Sequence, residues 1–108
     1  MWNLVFVPEA ILDLDMLDGS IRKQVLKGIL KVSQNPLPKN EGGYGDPLGN
    51  KKNLDLSGLS KIKFRDAGIR VVYSLREKET LMTVIVVSLR ADNLVYVEAL
   101  RRRKKHRI

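Results

Sequence analysis

The sequence predicts an α+β domain of order β-α-α-β-β-β-α: two layers, a mainly antiparallel sheet, two helices on one face and a further helix at the C-terminus. Three observations predict it. Leu59 to Tyr73 (LSKIKFRDAGIRVVY) alternates cationic and apolar residues on both sides of an Asp66-Ala67-Gly68 break, the period-two mark of two half-buried strands joined by a turn. Leu81 to Arg90 (LMTVIVVSLR) is almost wholly apolar and β-branched, as suits a strand covered on both faces. Ahead of both, apolar residues recur at helical spacing between Pro8 and Ser33.

The elements follow in order. Trp2 to Val7 reads as a first strand, with Trp2, Leu4 and Phe6 on one face. Pro8 suits the first turn of a helix and Glu9 its positive end, and Ala10, Ile11, Leu14 and Leu17 supply its apolar stripe. Asp18-Gly19-Ser20 breaks this helix, and Asp18 or Ser20 suits the cap of the next. That second helix runs from about Ile21 to Ser33, with Ile21, Val25, Ile29 and Val32 inward and Arg22, Lys23, Lys27 and Lys31 on a solvated face. Asn35-Pro36 ends it. The stretch from Pro36 to Ser57 is rich in Gly, Pro, Asn and Lys and reads as a long connection. Tyr44, Lys51 and Lys52 there could touch a ligand, but read first as ordinary loop residues. The two alternating strands come next, then the Glu77–Thr80 turn and the apolar strand. Asn93 caps a last helix that holds Tyr96, and the basic run RRRKKHRI closes the chain. The first strand is expected beside the Leu81–Arg90 strand, which needs cover on both sides. The sheet order is then first strand, last strand, Ile69 strand, Lys61 strand.

At 108 residues with 44% hydrophobic content, the chain is expected to form one domain with one real core. No run reaches transmembrane length, the opening residues do not read as a signal peptide, and there is no cysteine. A cytoplasmic location without membrane contact is the expectation. The net charge of +8 is concentrated: Arg101, Arg102, Arg103, Lys104, Lys105 and Arg107 hold six of those charges, leaving +2 for the remainder. Residues from about 101 to 108 therefore read as a basic tail, suited to RNA, to an acidic partner or simply to solubility.

The chemistry-bearing cluster is Lys61, Lys63 and Arg65 on one strand and Arg70 on the next. An even connection would set Arg65 opposite Arg70 and leave all four cations on one face. Like charges paired across a sheet are unfavourable, so crowding them implies a polyanion to hold. Arg90, at the end of the apolar strand, either pairs with a carboxylate such as Asp66 or Asp92 or reaches the rim of the same site. Fixed cations can stabilise the phosphorane formed when a ribose 2′-hydroxyl attacks the adjacent phosphorus. Arginine serves as a phosphate clamp, and a lysine crowded by like charge becomes a better base; Lys61 is the candidate. The only histidine is His106 in the tail, so a histidine acid/base pair in the core and a Ser-His or Cys-His nucleophile are excluded. No His, Asp or Glu cluster has metal-ligand spacing, and no metal or other cofactor is expected.

These residues also carry a resemblance. The order of elements, the KIKxRxxGxRxVY pattern from Lys61 to Tyr73, the arginine after Ser88-Leu89 and a tyrosine six positions later resemble the RelE branch of the RelE/ParE toxin superfamily, over nearly the whole chain. The resemblance implies a ribosome-dependent messenger RNA endonuclease, an antitoxin partner, and catalytic roles for Lys61, Lys63, Arg70, Arg90 and Tyr96. Tyr96 would stack on a base or hydrogen-bond the reacting groups; on its own it reads as a helix residue packing on the sheet. Arg65, Arg101, Arg102, Arg103, Lys104 and Lys105 are the expected RNA contacts beyond the catalytic group. The Pro36–Ser57 stretch is longer, and the basic tail more extended, than the pattern requires. The alternatives are a non-catalytic inhibitor like the gyrase-directed ParE branch, which lacks this set of residues, and a basic nucleic-acid-binding domain with no enzymatic role.

Overall fold

The computed structural model describes every residue except Lys52 and Arg90. The expectations placed on those two lie outside the described residues.

Strand β1 (Asn3–Phe6) leads into helix α1 (Pro8–Asp15) and helix α2 (Gly19–Ser33). Pro8 opens α1 and Glu9 lies in its first turn, where a missing N–H costs nothing and negative charge meets the helix dipole. Arg22 is not simply a member of the wet face of α2. It donates to the carbonyls of Leu14, Asp15 and Leu17, satisfying the acceptors that the end of α1 leaves open.

Four further strands follow: β2 (Asp46–Lys51), β3 (Leu54–Phe64), β4 (Ile69–Arg76) and β5 (Leu81–Ser88). The sheet order is β1-β5-β4-β3-β2, with β1 parallel to β5 and the other pairs antiparallel. The expected order of four strands is present, extended by β2. That strand corrects the reading of Pro36–Ser57 as a connection only. Pro47 and Gly49 hid it; both are tolerable on an edge strand, and the β2–β3 register shifts between them.

Helix α3 (Asp92–His106) follows β5. Its N-cap is Ala91, so Asn93 lies within the first turn instead of capping it. The basic run expected as a tail is largely the end of this helix, which continues through His106.

The sheet has a core on each face. Val25, Ile29 and Val32 of α2, with Ala10 and Leu14 of α1, pack on Ile69, Val71, Tyr73, Met82, Val84 and Val87. Val95, Tyr96 and Ala99 of α3 pack on the other face, against Leu56, Leu59, Val72, Ile85 and Val86. The two layers become three where α3 lies. Ile85 and Val86 reach the same core because the β4–β5 register skips Ile85, a bulge that inserts one residue and locally changes the face.

That bulge, and the short reach of β1, leave the outer edge of β5 uncovered past Val84, the last residue paired with β1. Asp13 and Arg102 cover it. The Val87 N–H donates to the Asp13 carboxylate (3.0 Å), and Arg102 Nη1 donates both to Ile85 O (3.0 Å) and to Asp13 Oδ2 (2.6 Å).

Candidate active site

The face that carries the cations is set from beneath. Ile62 and Phe64 join the core under α2, and a Cβ at Gly28 of that helix would collide with the Phe64 ring. With Ile62 and Phe64 seated there, the alternating Lys61 and Lys63 must point to the opposite face. Register pairs Lys63 with Arg70 and Lys61 with Val72, and directly opposed residues share a face. Lys61, Lys63 and Arg70 therefore stand together, on the face that α3 covers farther along.

Arg65 corrects one expectation. It lies in the four-residue turn between β3 and β4, and the residue opposite Arg70 is Lys63. Arg65 still lines a cavity of about 270 Å³ with Lys63 and Arg70. It also lines a second, of about 340 Å³, with Lys61, Lys63, Lys39, Tyr44 and Asp46.

Two carboxylates that sequence reading did not assign to the site are built into it. Asp46, in register with Lys61 across β2 and β3, holds its Oδ2 3.9 Å from Lys61 Nζ. Asp92, in the first turn of α3, forms an ion pair with Arg70 Nε. The lysine and arginine side chains are only 16% and 21% exposed, so each charge is partly removed from water and needs a counter-charge.

Tyr96 stands one helical turn beyond Asp92 and is 3% exposed. Its hydroxyl has no hydrogen-bond partner among the described residues. Burial pushes the phenol above its ordinary range, the charges of Asp92 and Asp46 add to that, and Arg70 opposes it. The hydroxyl thus lies within electrostatic reach of both pairs. The ring is packed against the sheet, the bland expectation for this residue, and in this conformation it has no open face for a base.

Arg101, Arg102, Arg103 and Lys105 are engaged within the protein. Arg102, expected to contact RNA, is 9% exposed and pairs with Asp13 and Glu98, so its guanidinium is engaged within the fold. Burial works against its charge, but the hydrogen bonds it donates to Asp13 and Glu98 outweigh that and raise its pKa. Arg101 pairs with Glu98, Lys105 with Glu9, and Arg103 donates to Ser57 O. Arg101, Lys104 and Lys105 are exposed. Glu98 is pulled down to about 2 by its hydrogen bonds with Arg101 and then Arg102. Glu9 is also pulled down to about 2, first by Lys105, then by its own backbone and His106. The sequence held a signal for this arrangement: Glu9 and Asp13 are four residues apart on α1, the spacing of one helix face.

No protein-family model matches the chain, and no curated protein matches it by sequence. Solved structures do. The isolated RelE toxin of E. coli in its P21 crystal form superposes with a TM-score of 0.69 at 25% identity, covering 94% of this chain and 98% of that one. A double arginine-to-alanine mutant of the same toxin in the free state gives 0.72 at 25% identity, covering 94% and 96%. The toxin-antitoxin complex RelBE2 of Mycobacterium tuberculosis gives 0.65 at 22% identity, covering 82% and 98%, and shares the fold. In its fold, and over nearly its whole length, the chain is similar to toxins of the RelE branch of the RelE/ParE toxin superfamily.

Proposed function

We propose that this protein is the toxin of a toxin-antitoxin pair and acts as a metal-independent endonuclease on messenger RNA in the ribosome. The observation that carries the reading is the cross-strand pairing of Lys63 with Arg70 beside Lys61, on a face also bordered by Tyr96. A sheet gains nothing from opposed cations, whereas a phosphate passing into a phosphorane gains a good deal. Likeness to E. coli RelE supports the same reading, and the RelBE complexes among the similar structures support an antitoxin partner.

In the proposed reaction the 2′-hydroxyl attacks the neighbouring phosphorus. Its proton passes to a base, for which Lys61 is our candidate. Arg70 and Lys63 hold the non-bridging oxygens as charge grows on them, with Arg90 as a further candidate clamp. The 5′-oxygen of the next nucleotide leaves and takes up a proton, giving a 2′,3′-cyclic phosphate and a 5′-hydroxyl. The ribosome would supply the in-line geometry, a positioning effect that can account for much of a barrier reduction.

The test is cleavage of a defined message on programmed ribosomes, read by primer extension and by end-group analysis. Cyclic phosphate ends are expected, with loss of cutting in Arg70→Ala and Lys61→Ala. Part of the magnesium replaced by a polyamine should leave the rate intact. A 3′-hydroxyl product, or equal cutting of message with a 2′-deoxy scissile nucleotide, would rule the mechanism out.

A further inference from the structure

The segment between α2 and β2 does more than connect. Its backbone is folded back on itself and pinned. Tyr44 N–H donates to Asn35 O (2.8 Å), Gly45 N–H to Leu37 O (2.8 Å), Gly43 N–H to Pro38 O (3.1 Å) and Lys39 N–H to Gly45 O (3.1 Å). The buried Tyr73 hydroxyl ties the same segment to the sheet by donating to Pro36 O (3.0 Å). Glycines flank Tyr44 because a Cβ at Gly43 would run into the Leu37 carbonyl, and one at Gly45 into the Pro36 carbonyl. Tyr44 is thus the one side chain in Gly43–Gly45, presented by a backbone that leaves it little freedom.

Its place relative to the cations follows from register. Asp46 opposes Lys61, so two residues upstream the chain departs from the sheet at about the level of Lys63. Tyr44 lines the cavity of about 340 Å³ that also touches Lys61, Lys63, Arg65 and Lys39. The residue is 48% exposed. Lys31 of α2 sits 5.3 Å from the ring centroid, a cation–π contact that steadies the ring.

We infer that Tyr44 is a stacking platform for a nucleobase next to the scissile phosphate, in a single-stranded RNA subsite completed by Lys39 and Arg65. The inference rests on the nuclease reading above. An aromatic ring held rigid among cations is the arrangement that binds single-stranded nucleic acid, because every base offers a π-face and every linkage a charge.

The experiment is single-turnover cleavage on programmed ribosomes by wild type, Tyr44→Ala and Tyr44→Phe. The messages are intact, or carry an abasic nucleotide on one side or the other of the scissile phosphate. Tyr44→Ala should cut intact message roughly ten- to a hundredfold more slowly, and Tyr44→Phe near the wild-type rate. On one of the two abasic messages the difference between wild type and Tyr44→Ala should disappear, since the ring then has nothing to stack upon. Equal rates on intact message overturn the subsite and leave the nuclease reading standing. A Tyr44→Ala loss undiminished on both abasic messages also overturns it, because a purely structural tyrosine gives that pattern. Failure of wild type to cut intact message at all removes both proposals together.

Discussion

Lys63 and Arg70 face each other across the β3–β4 pair. The arrangement sacrifices stability to keep positive charge in one place. Lys63→Met is therefore expected to raise stability by about 0.2–1 kcal/mol while abolishing cleavage. Urea denaturation at low and high salt checks it: the gain should shrink as salt screens the repulsion. A variant less stable than wild type at low salt would contradict this account of the pair.

Arg102 should behave in the opposite way. Its guanidinium is buried and joins Asp13, Glu98 and Ile85 O. Arg102→Met leaves Asp13 without its cationic partner and is expected to cost about 2–4 kcal/mol. Lys104→Ala, on an exposed position, should stay within about 0.5 kcal/mol of wild type. Removing residues 102–108 is accordingly expected to unfold the protein rather than merely weaken RNA binding, and far-ultraviolet circular dichroism during denaturation distinguishes the two outcomes.

Acid should loosen the contacts between α3 and α1. Glu9 and Glu98 are both held at about 2 against an ordinary 4.5. A carboxyl whose folded pKa is depressed binds protons more readily when unfolded. Its stabilisation is complete above the unfolded value and fades as pH falls through the folded one. Stability is thus expected to drop between about pH 4.5 and pH 2. The double variant Glu9→Gln/Glu98→Gln should start lower and show a flatter decline across that window. Denaturation midpoints at stepped pH measure it, and an unaltered slope would count against these two groups.

The Tyr96 hydroxyl is buried without a partner among the described residues. An unsatisfied polar atom is a cost that phenylalanine does not carry. Tyr96→Phe should therefore be as stable as wild type or more so, by up to about 1 kcal/mol. If the hydroxyl serves the reaction, the same variant cuts message more slowly. Thermal melting and programmed-ribosome cleavage on one preparation read both effects; full activity would reduce Tyr96 to packing.

The elements that were legible are those whose apolar pattern has one reading. Ile62 and Phe64 alternate with Lys61 and Lys63, so the strand period alone sets the apolar pair and the cations on opposite faces. β2 was not legible, because Pro47 and Gly49 look like loop chemistry wherever an edge strand is not suspected. The C-terminal residues were misread for a related cause. Six cations in eight positions suggest solvent, and only the distant Glu9 and Asp13 of α1 show that some of them are pinned to the fold. Asp46 and Asp92 come to the site through register and the start of α3, and neither has a local signature. The burial of Tyr96 follows from how α3 lies on the sheet, which side-chain spacing within one helix does not specify.

The pair formed by Asp13 and Arg102 has a consequence for solution behaviour. Past Val84 the margin of β5 would offer a bare N–H and a bare carbonyl to any passing chain, and an open margin of that sort invites another strand to add itself. A side-chain carboxylate and a guanidinium occupy both groups, imitating the strand that is absent. Loss of either residue would then be felt at high protein concentration as self-association, before it is felt as unfolding.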